Sequence, residues 1–327
     1  MAPSEAHLAP RQNGPDTWLG RELRESDDWI WTLSELEVDE LVAAARAEGG
    51  FPLPTLAPKL DELRRRLIDG RGFELVRGFP TAEFDDEECG KVFVGLGSHL
   101  GTARSQNASG DLLGHVRDVG LDAADPNVRI YQTNRRQTFH TDSADVVGLM
   151  CLQTAISGGE SLLVSAGAIY NEMLDRDRAL AATLFEPIAT DRRGEVPVGA
   201  DPFFTIPVLS WFEGRLTVLY QRQYIESAQR FDQAAPLTDR MVAALDLFDE
   251  IANDPTWHLP MALEAGDMQF VHNHALLHDR TAFVDDPASP RHLLRLWLSV
   301  PGDRELPPVF AQRYGSVVVG DRGGIVV

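Results

Sequence analysis

The sequence predicts a mainly β protein, a jelly-roll-like core with flanking helices. Three observations carry that expectation. First, the segments "NVRIYQTN", "DVVGLMCLQTA", "ESLLVSA", "FFTIPVLSWFEG", "RLTVLYQRQYI", "DMQFVHNHALLH" and "RHLLRLWLSV" are short, apolar and rich in β-branched or aromatic residues. Second, turn signals such as "SGG", "EGR" and "AGD" separate them at hairpin spacing, which favours a sandwich or barrel over a doubly wound sheet. Third, the chain has no GxGxxG, no P-loop and no GxSxG.

The elements follow in order. Residues 1–18 are rich in Pro, Ala and polar groups and are expected to be disordered. "SELEVDELVAAARAEGG" opens with a capping box, Ser34 with Glu37, and ends at Gly49-Gly50. Its apolar positions Leu36, Leu41, Val42 and Ala45 suit one buried helix face. "LDELRRRLIDG" repeats the pattern, "GFELVRGFP" predicts a strand bounded by Gly and Pro, and "EECGKVFVGLGSHLG" a third helix. Two more helices, "AGAIYNEML" and "LTDRMVAALDLFDEIAND", interrupt the later strands. No linker or internal repeat divides the 327 residues, so 19–327 is expected to be a single domain.

Composition restricts the partners. A net charge of −20 would repel nucleic acid and anionic membranes. No apolar run reaches membrane-spanning length, and the N-terminus lacks an apolar signal core. Two cysteines, Cys89 and Cys151, do not make a disulfide framework, which points to a reducing, cytoplasmic compartment. The expected partner is a small molecule, with homo-oligomerisation left open.

One stretch carries chemistry. "RRQTFHTDSADVV" holds the only His-x-Asp, His140 and Asp142. In an extended strand, residues two apart share a face, so an imidazole and a carboxylate would project together. A distant histidine would complete the 2-His-1-carboxylate triad of non-haem iron oxygenases, which leaves coordination positions open. "GDMQFVHNHALLHDRTAF" offers His272, His274 and His278. All three have the same parity, so alternation does not choose among them. Asn134 shares parity with His140 and is expected to touch cosubstrate or substrate; Gln137 does not share it. Tyr220, Arg222 and Tyr224 would share one strand face, as cavity lining or as core. "SQNASGDLLGHVRD" is a substrate-facing loop or an ordinary surface loop.

These motifs together resemble the Fe(II)/2-oxoglutarate-dependent dioxygenases of the taurine dioxygenase (TauD/TfdA) group. The order is HxD, "GGES", H-x-R in "LLHDR" and R-x-x-x-R in "RHLLRLW", most specific over residues 128–300. The resemblance implies a double-stranded β-helix (cupin-like jelly roll) using Fe(II), 2-oxoglutarate and O2. It implies His140, Asp142 and His278 as iron ligands, with His272 and His274 lining the cavity or orienting neighbours. It implies Arg291, 13 residues after His278, and Ser161 on the far carboxylate of 2-oxoglutarate, with Arg295 near cosubstrate or substrate. Chemistry supports the arginine independently: a guanidinium binds a carboxylate through two parallel hydrogen bonds, and a buried one needs an anionic partner. An internal salt bridge to Asp285 or Asp286 is the competing role for Arg291. The implied reaction oxidises a C–H bond, most simply to an alcohol, while 2-oxoglutarate becomes succinate and CO2. A related metalloenzyme using another metal would need neither Arg291 nor 2-oxoglutarate, and a carboxylate-binding sensor would bind its ligand without turnover and tolerate loss of Asp142.

Overall fold

The structure is a computed structural model that describes residues 8–47, 50–122 and 128–325. Two sheets face each other. The larger has seven strands in the order Ile30–Thr32, Phe73–Arg77, Met268–His272, Val146–Gln153, His292–Ser299 and Thr102–Ala103, with Leu113–Val116 also on His292–Ser299. The smaller runs His258–Met261, Ser161–Ser165, Leu276–Arg280 and Gln137–His140. All these pairings are antiparallel except Ile30–Thr32 on Phe73–Arg77. Phe73, Leu75 and Val271 of the large sheet pack on Leu163, Leu259, Met261 and Leu276 of the small one. This is the expected jelly roll.

Strand alternation assigns the faces. On His292–Ser299, Leu294, Leu296 and Leu298 point outward to the helices Glu35–Arg46, Ala57–Ile68 and Asp86–Leu100. Leu293, Arg295 and Trp297 therefore point between the sheets. On the small sheet Leu162, Val164 and Leu277 point outward to Ala166–Arg176 and Asp239–Asn253. Each sheet thus buries one face against helices and keeps the other for the interior, where the polar residues gather.

The early helices follow their signals. Ser34 N donates to Glu37 Oε2 (2.8 Å), closing the capping box. Leu41 is buried, but Leu36 is 78% exposed, so the buried stripe runs through Leu41 and Ala44. Other expectations are corrected. Residues 8–18 pack rather than stray: Ala9 and Trp18 are buried, Tyr170 Oη donates to Ala9 O (2.5 Å), and Arg11 pairs with Asp175 (2.7 Å). Residues 1–7 lie outside the described residues. "NVRIYQTN" is no strand where described; Ile130–Gln132 form a single helical turn. "RLTVLYQRQYI" leaves the strand after Val218 and becomes the helix Arg222–Ala228. Among the described residues no helix is long and apolar enough to cross a membrane.

Glu74, on a central strand of the large sheet, is buried beside Arg66 (3.0 Å). Burial pushes its carboxyl up from 4.5 to about 7 despite Arg66. The unfolded chain ionises this group first, so its contribution to stability is full below pH 4.5 and is lost as pH rises through 7. Glu74→Gln is therefore expected to stabilise the protein at pH 8 by roughly 1–3 kcal/mol and to have no such effect at pH 4.5, read by denaturant unfolding at both pH values.

Candidate metal and cosubstrate site

The three triad candidates converge at the mouth between the sheets. His278 sits on Leu276–Arg280, directly opposite His140 on Gln137–His140, so pairing of neighbouring strands sets the imidazoles side by side. Their ring centroids are 4.1 Å apart. Asp142 follows the strand end; one carboxylate oxygen is 4.0 Å from His140 Nε2 and the other 3.7 Å from His278 Nε2. One ligand atom from each residue falls within 4.8 Å of the others, a separation one metal ion can span.

The donors are prepared for a cation. His140 Nδ1 donates to Thr138 O (2.9 Å), which turns the Nε2 lone pair toward the site, where the Gln137 amide meets it (2.8 Å). Burial, then the neighbouring His278, holds the His140 imidazole down to about 3, so it is neutral and able to ligate. Burial pushes the Asp142 carboxyl up, but Arg295 and then His278 outweigh it and hold it below the ordinary range. Trp297 Nε1 donates to Asp142 Oδ2 (2.9 Å) and Arg295 lies 3.4 Å from the same oxygen. The residue types, two imidazoles and one carboxylate on one side only, fit a ferrous ion with open positions.

Parity could not separate His272, His274 and His278 because "DMQFVHNHALLH" is not one strand. It breaks at Asn273–Ala275 and crosses from the large sheet to the small one. His272 and His274 end up facing Asp303 and Asp145 (2.9 Å each), in a separate buried charge network. They neither line the cavity nor orient the triad imidazoles. The linking Asn273 instead grips the metal loop: its Oδ1 accepts from Asp142 N (2.8 Å), and its Nδ2 donates to Asp142 O and to Ala144 O (2.9 Å).

Two cavities meet at the triad. The inner one is lined by His140, His278, Ser161, Arg280, Arg291 and Arg295 among apolar neighbours. Arg291 stands just before its strand and is buried, yet among the described residues no carboxylate holds its guanidinium. Its backbone N takes Asp285 (2.8 Å), one Nη donates to Gly159 O (3.2 Å), and the other Nη is buried without a partner. Arg280 and Arg291 lie over the same Phe283 ring, at 4.7 and 5.1 Å. Burial, then Arg291, lowers the Arg280 guanidinium to about 10. Two buried cations beside one ring, each with an idle donor (Arg280 Nε and one Arg291 Nη), call for an anion. Gly159 belongs to this design. Its φ is +73°, and a Cβ there would sit 2.8 Å from Arg291 Nε. Ser161 is buried in the same cavity, its Oγ donating to Gln269 Oε1 (3.0 Å).

The outer cavity lies on the other side of Asp142. Arg129, Arg295 and Arg313 line it with Tyr131, Gln137, Tyr220, Tyr224 and Trp297. Arg295 lies between Tyr131 and Trp297 (4.5 and 4.9 Å to the ring centroids) and donates from Nε to Gln106 Oε1 (2.7 Å). Gln106, from "SQNASGDLLGHVRD", thus supports the site from behind, while Leu113–Val116 of that segment is a strand. Asn134 is exposed and lines neither cavity, so the structure does not bring it to the cluster. Gln137, passed over on parity, lines both cavities, and its amide reaches His140 Nε2 (2.8 Å). Tyr220 and Tyr224 line the outer cavity, but Arg222 turns away to Glu226, Asp246 and Asp249 (2.7, 2.8 and 3.1 Å). Trp297 was legible two positions after Arg295; Arg129 and Arg313 carried no local signal.

A jelly roll holding two histidines and a carboxylate on one side, beside a cationic cavity, defines a mononuclear non-haem metal oxygenase site. Comparison with known proteins agrees. The model of the taurine catabolism dioxygenase TauD, TfdA family matches residues 37–297, and the chain belongs to that family of Fe(II)- and 2-oxoglutarate-dependent oxygenases. It is 34% identical to FR-33289 synthase of Streptomyces rubellomurinus, over 90% of this chain and 92% of that one. It is 31% identical to the taurine hydroxylase-like protein SAT17 of Stachybotrys chartarum, over 88% and 80%. A uridine-5'-phosphate dioxygenase of Amycolatopsis is 30% identical over half of this chain and 62% of its own. The fold is shared with asparagine oxygenase, solved with Fe(II), a hydroxyasparagine and succinate (TM-score 0.65, 18% identity, 83% of this chain and 93% of that one). It is also shared with the non-haem iron oxygenase OrfP, solved with Fe and α-ketoglutaric acid (TM-score 0.60, 16% identity, 82% and 93%).

Proposed function

We propose that His140, Asp142 and His278 hold the ferrous ion, that Arg291 and Ser161 hold the far carboxylate of 2-oxoglutarate, and that the chain hydroxylates a small anionic metabolite. The overall change is R–H + 2-oxoglutarate + O2 → R–OH + succinate + CO2. Iron and 2-oxoglutarate supply the oxidising chemistry; the chain binds, orients and excludes water. The buried Arg291 guanidinium with an idle Nη carries the cosubstrate assignment: a metal enzyme without 2-oxoglutarate has no use for it, and a carboxylate-binding sensor has no use for the three-ligand metal site beside it. Trp297 and Arg295 steady the iron carboxylate.

The substrate class rests on the outer cavity. Three arginines line it, in a chain whose net charge is −20. Its acid Asp142 is committed to the metal, and nearby Glu195 pairs with Arg129 (2.9 Å). An anionic group fits that wall and a cation does not; a phosphate appears in the name of one relative's substrate. Two buried free thiols support a reducing, cytoplasmic setting.

Succinate release should be stimulated by members of a panel of small phosphates, phosphonates, sulfonates and carboxylates, and not by their neutral esters. Equal stimulation by the esters would remove the anionic assignment. With an active substrate found, Arg129→Gln is expected to raise its KM by about 10- to 100-fold, the worth of one charged hydrogen bond. The KM for 2-oxoglutarate should not move.

A further inference from the structure

The loop that carries Asp142 is held from an unexpected direction. Beyond the family match, which ends at residue 297, the chain turns back and runs under this loop. Residue by residue the loop is fastened to that return. Tyr314 Oη donates to Asp142 O (3.4 Å). Arg313 Nε donates to Ser143 Oγ (2.7 Å), and Gly324 N to Ser143 O (2.7 Å). Ile325 packs with Ala144, Val147 and Trp297, the same tryptophan that donates to the Asp142 carboxylate. Asp145 accepts from Arg322 Nε (2.7 Å), while the other end of that guanidinium reaches Asp303 (3.1 Å). His274 and His272 complete this network on Asp145 and Asp303 (2.9 Å each). The network has the residue types of a metal site, but the Arg322 guanidinium already supplies its cation, and the side chains of Arg322, Asp145 and Asp303 have no solvent exposure.

We propose that residues 303–325 are a positioning strap that fixes the Asp142 carboxylate toward the iron from its backbone side. The inference rests on Asp142 being an iron ligand. None of Arg313, Tyr314, Arg322 or Gly324 is a ligand candidate; toward the iron each acts through the loop, and Arg313 lines the outer cavity as well. The local geometry is demanding. Gly324 has φ +84°, and a Cβ there would stand 2.9 Å from Ser105 O, so any side chain would move the N–H that holds Ser143. A tight carboxylate position matters because outer partners of metal ligands set both affinity and ligand direction.

Two variants test the strap: the chain ending at Asp321, and the milder Gly324→Ala. Leu63→Ala, in the core under the outer helices, is the control for plain destabilisation. Near-UV circular dichroism and thermal unfolding report folding; anaerobic titration reports Fe(II) affinity and the Fe(II)–2-oxoglutarate absorption band. The strap variants, measured well below their melting temperatures, should bind Fe(II) about 10-fold more weakly or worse, with a shifted or weakened band. Leu63→Ala should lose melting temperature with iron affinity unchanged. The inference is overturned if folded Gly324→Ala, or the shortened chain, keeps the wild-type iron affinity and band, or if Leu63→Ala loses iron in proportion to its stability. If wild type itself forms no band, it is the triad assignment that fails.

Discussion

His140→Ala, Asp142→Ala and His278→Ala are each expected to abolish iron-dependent succinate formation while leaving a folded protein. Loss of one of three protein ligands weakens the hold on the ion and disturbs the arrangement of the open positions that 2-oxoglutarate and O2 must share. The fold should survive because the scaffold does not depend on these side chains. The Asp142 backbone stays gripped by Asn273, and Arg295 keeps Gln106 and its two aromatic neighbours. The strand pairing that joins His140 to His278 is made by backbone groups. His274→Ala should behave in the opposite way. It strips a partner from the buried Asp145 and is expected to cost roughly 1–3 kcal/mol of stability, with iron still bound by the folded fraction. Metal content by atomic emission, alongside thermal unfolding, separates the two outcomes. If His278→Ala retained iron while His274→Ala lost it, the ligand set would have to be redrawn.

Arg291→Met is expected to raise the KM for 2-oxoglutarate by about 100-fold or more, the worth of a buried two-pronged guanidinium–carboxylate contact. Its sign on stability is unusual. In the protein without cosubstrate, Arg291 buries a charge with one carbonyl bond and one idle Nη. Burial depresses its pKa, so the cation is held at a cost. An apolar side chain of similar length removes that cost. The melting temperature without cosubstrate should therefore stay level or rise, while the rise that 2-oxoglutarate gives to wild type should vanish. Arg295→Lys should affect that KM far less, since Arg295 is held by Gln106 and lies toward the outer cavity as well. A loss of stability in Arg291→Met without cosubstrate, with its affinity for 2-oxoglutarate intact, would mean that Arg291 is a structural residue.

Much of this was legible in the chain, and the gaps have physical causes. The jelly roll followed from short alternating segments and turn signals, because alternation is a backbone property. His140, Asp142, His278, Ser161, Arg291 and Arg295 lie around the two cavities, and all belong to short motifs with local spacing. What local spacing could not supply was anything set by a turn or a distant contact. His272 and His278 look equivalent in one extended run, yet Asn273–Ala275 sends them to different sheets. Asn134 was chosen and Gln137 passed over by parity counted through residues 134–136, where no strand exists; the strand begins at Gln137. Tyr220 and Tyr224 reach the outer cavity from a loop and a helix rather than from one strand, and Arg222 goes elsewhere for the same reason. Arg313 and Arg322 reach the supports of the site through contacts 170 and 177 residues away in the chain, and Arg129 is held by Glu195, 66 residues away; no window of sequence contains these contacts.

The most direct test of the site is anaerobic. Fe(II) and then 2-oxoglutarate are added to metal-free protein, and the visible spectrum is followed. A weak charge-transfer band that needs both components, absent in Asp142→Ala and displaced to much higher 2-oxoglutarate in Arg291→Met, is the predicted result. No band in the wild type, together with no heat of 2-oxoglutarate binding, would contradict the assignment of His140, Asp142, His278 and Arg291.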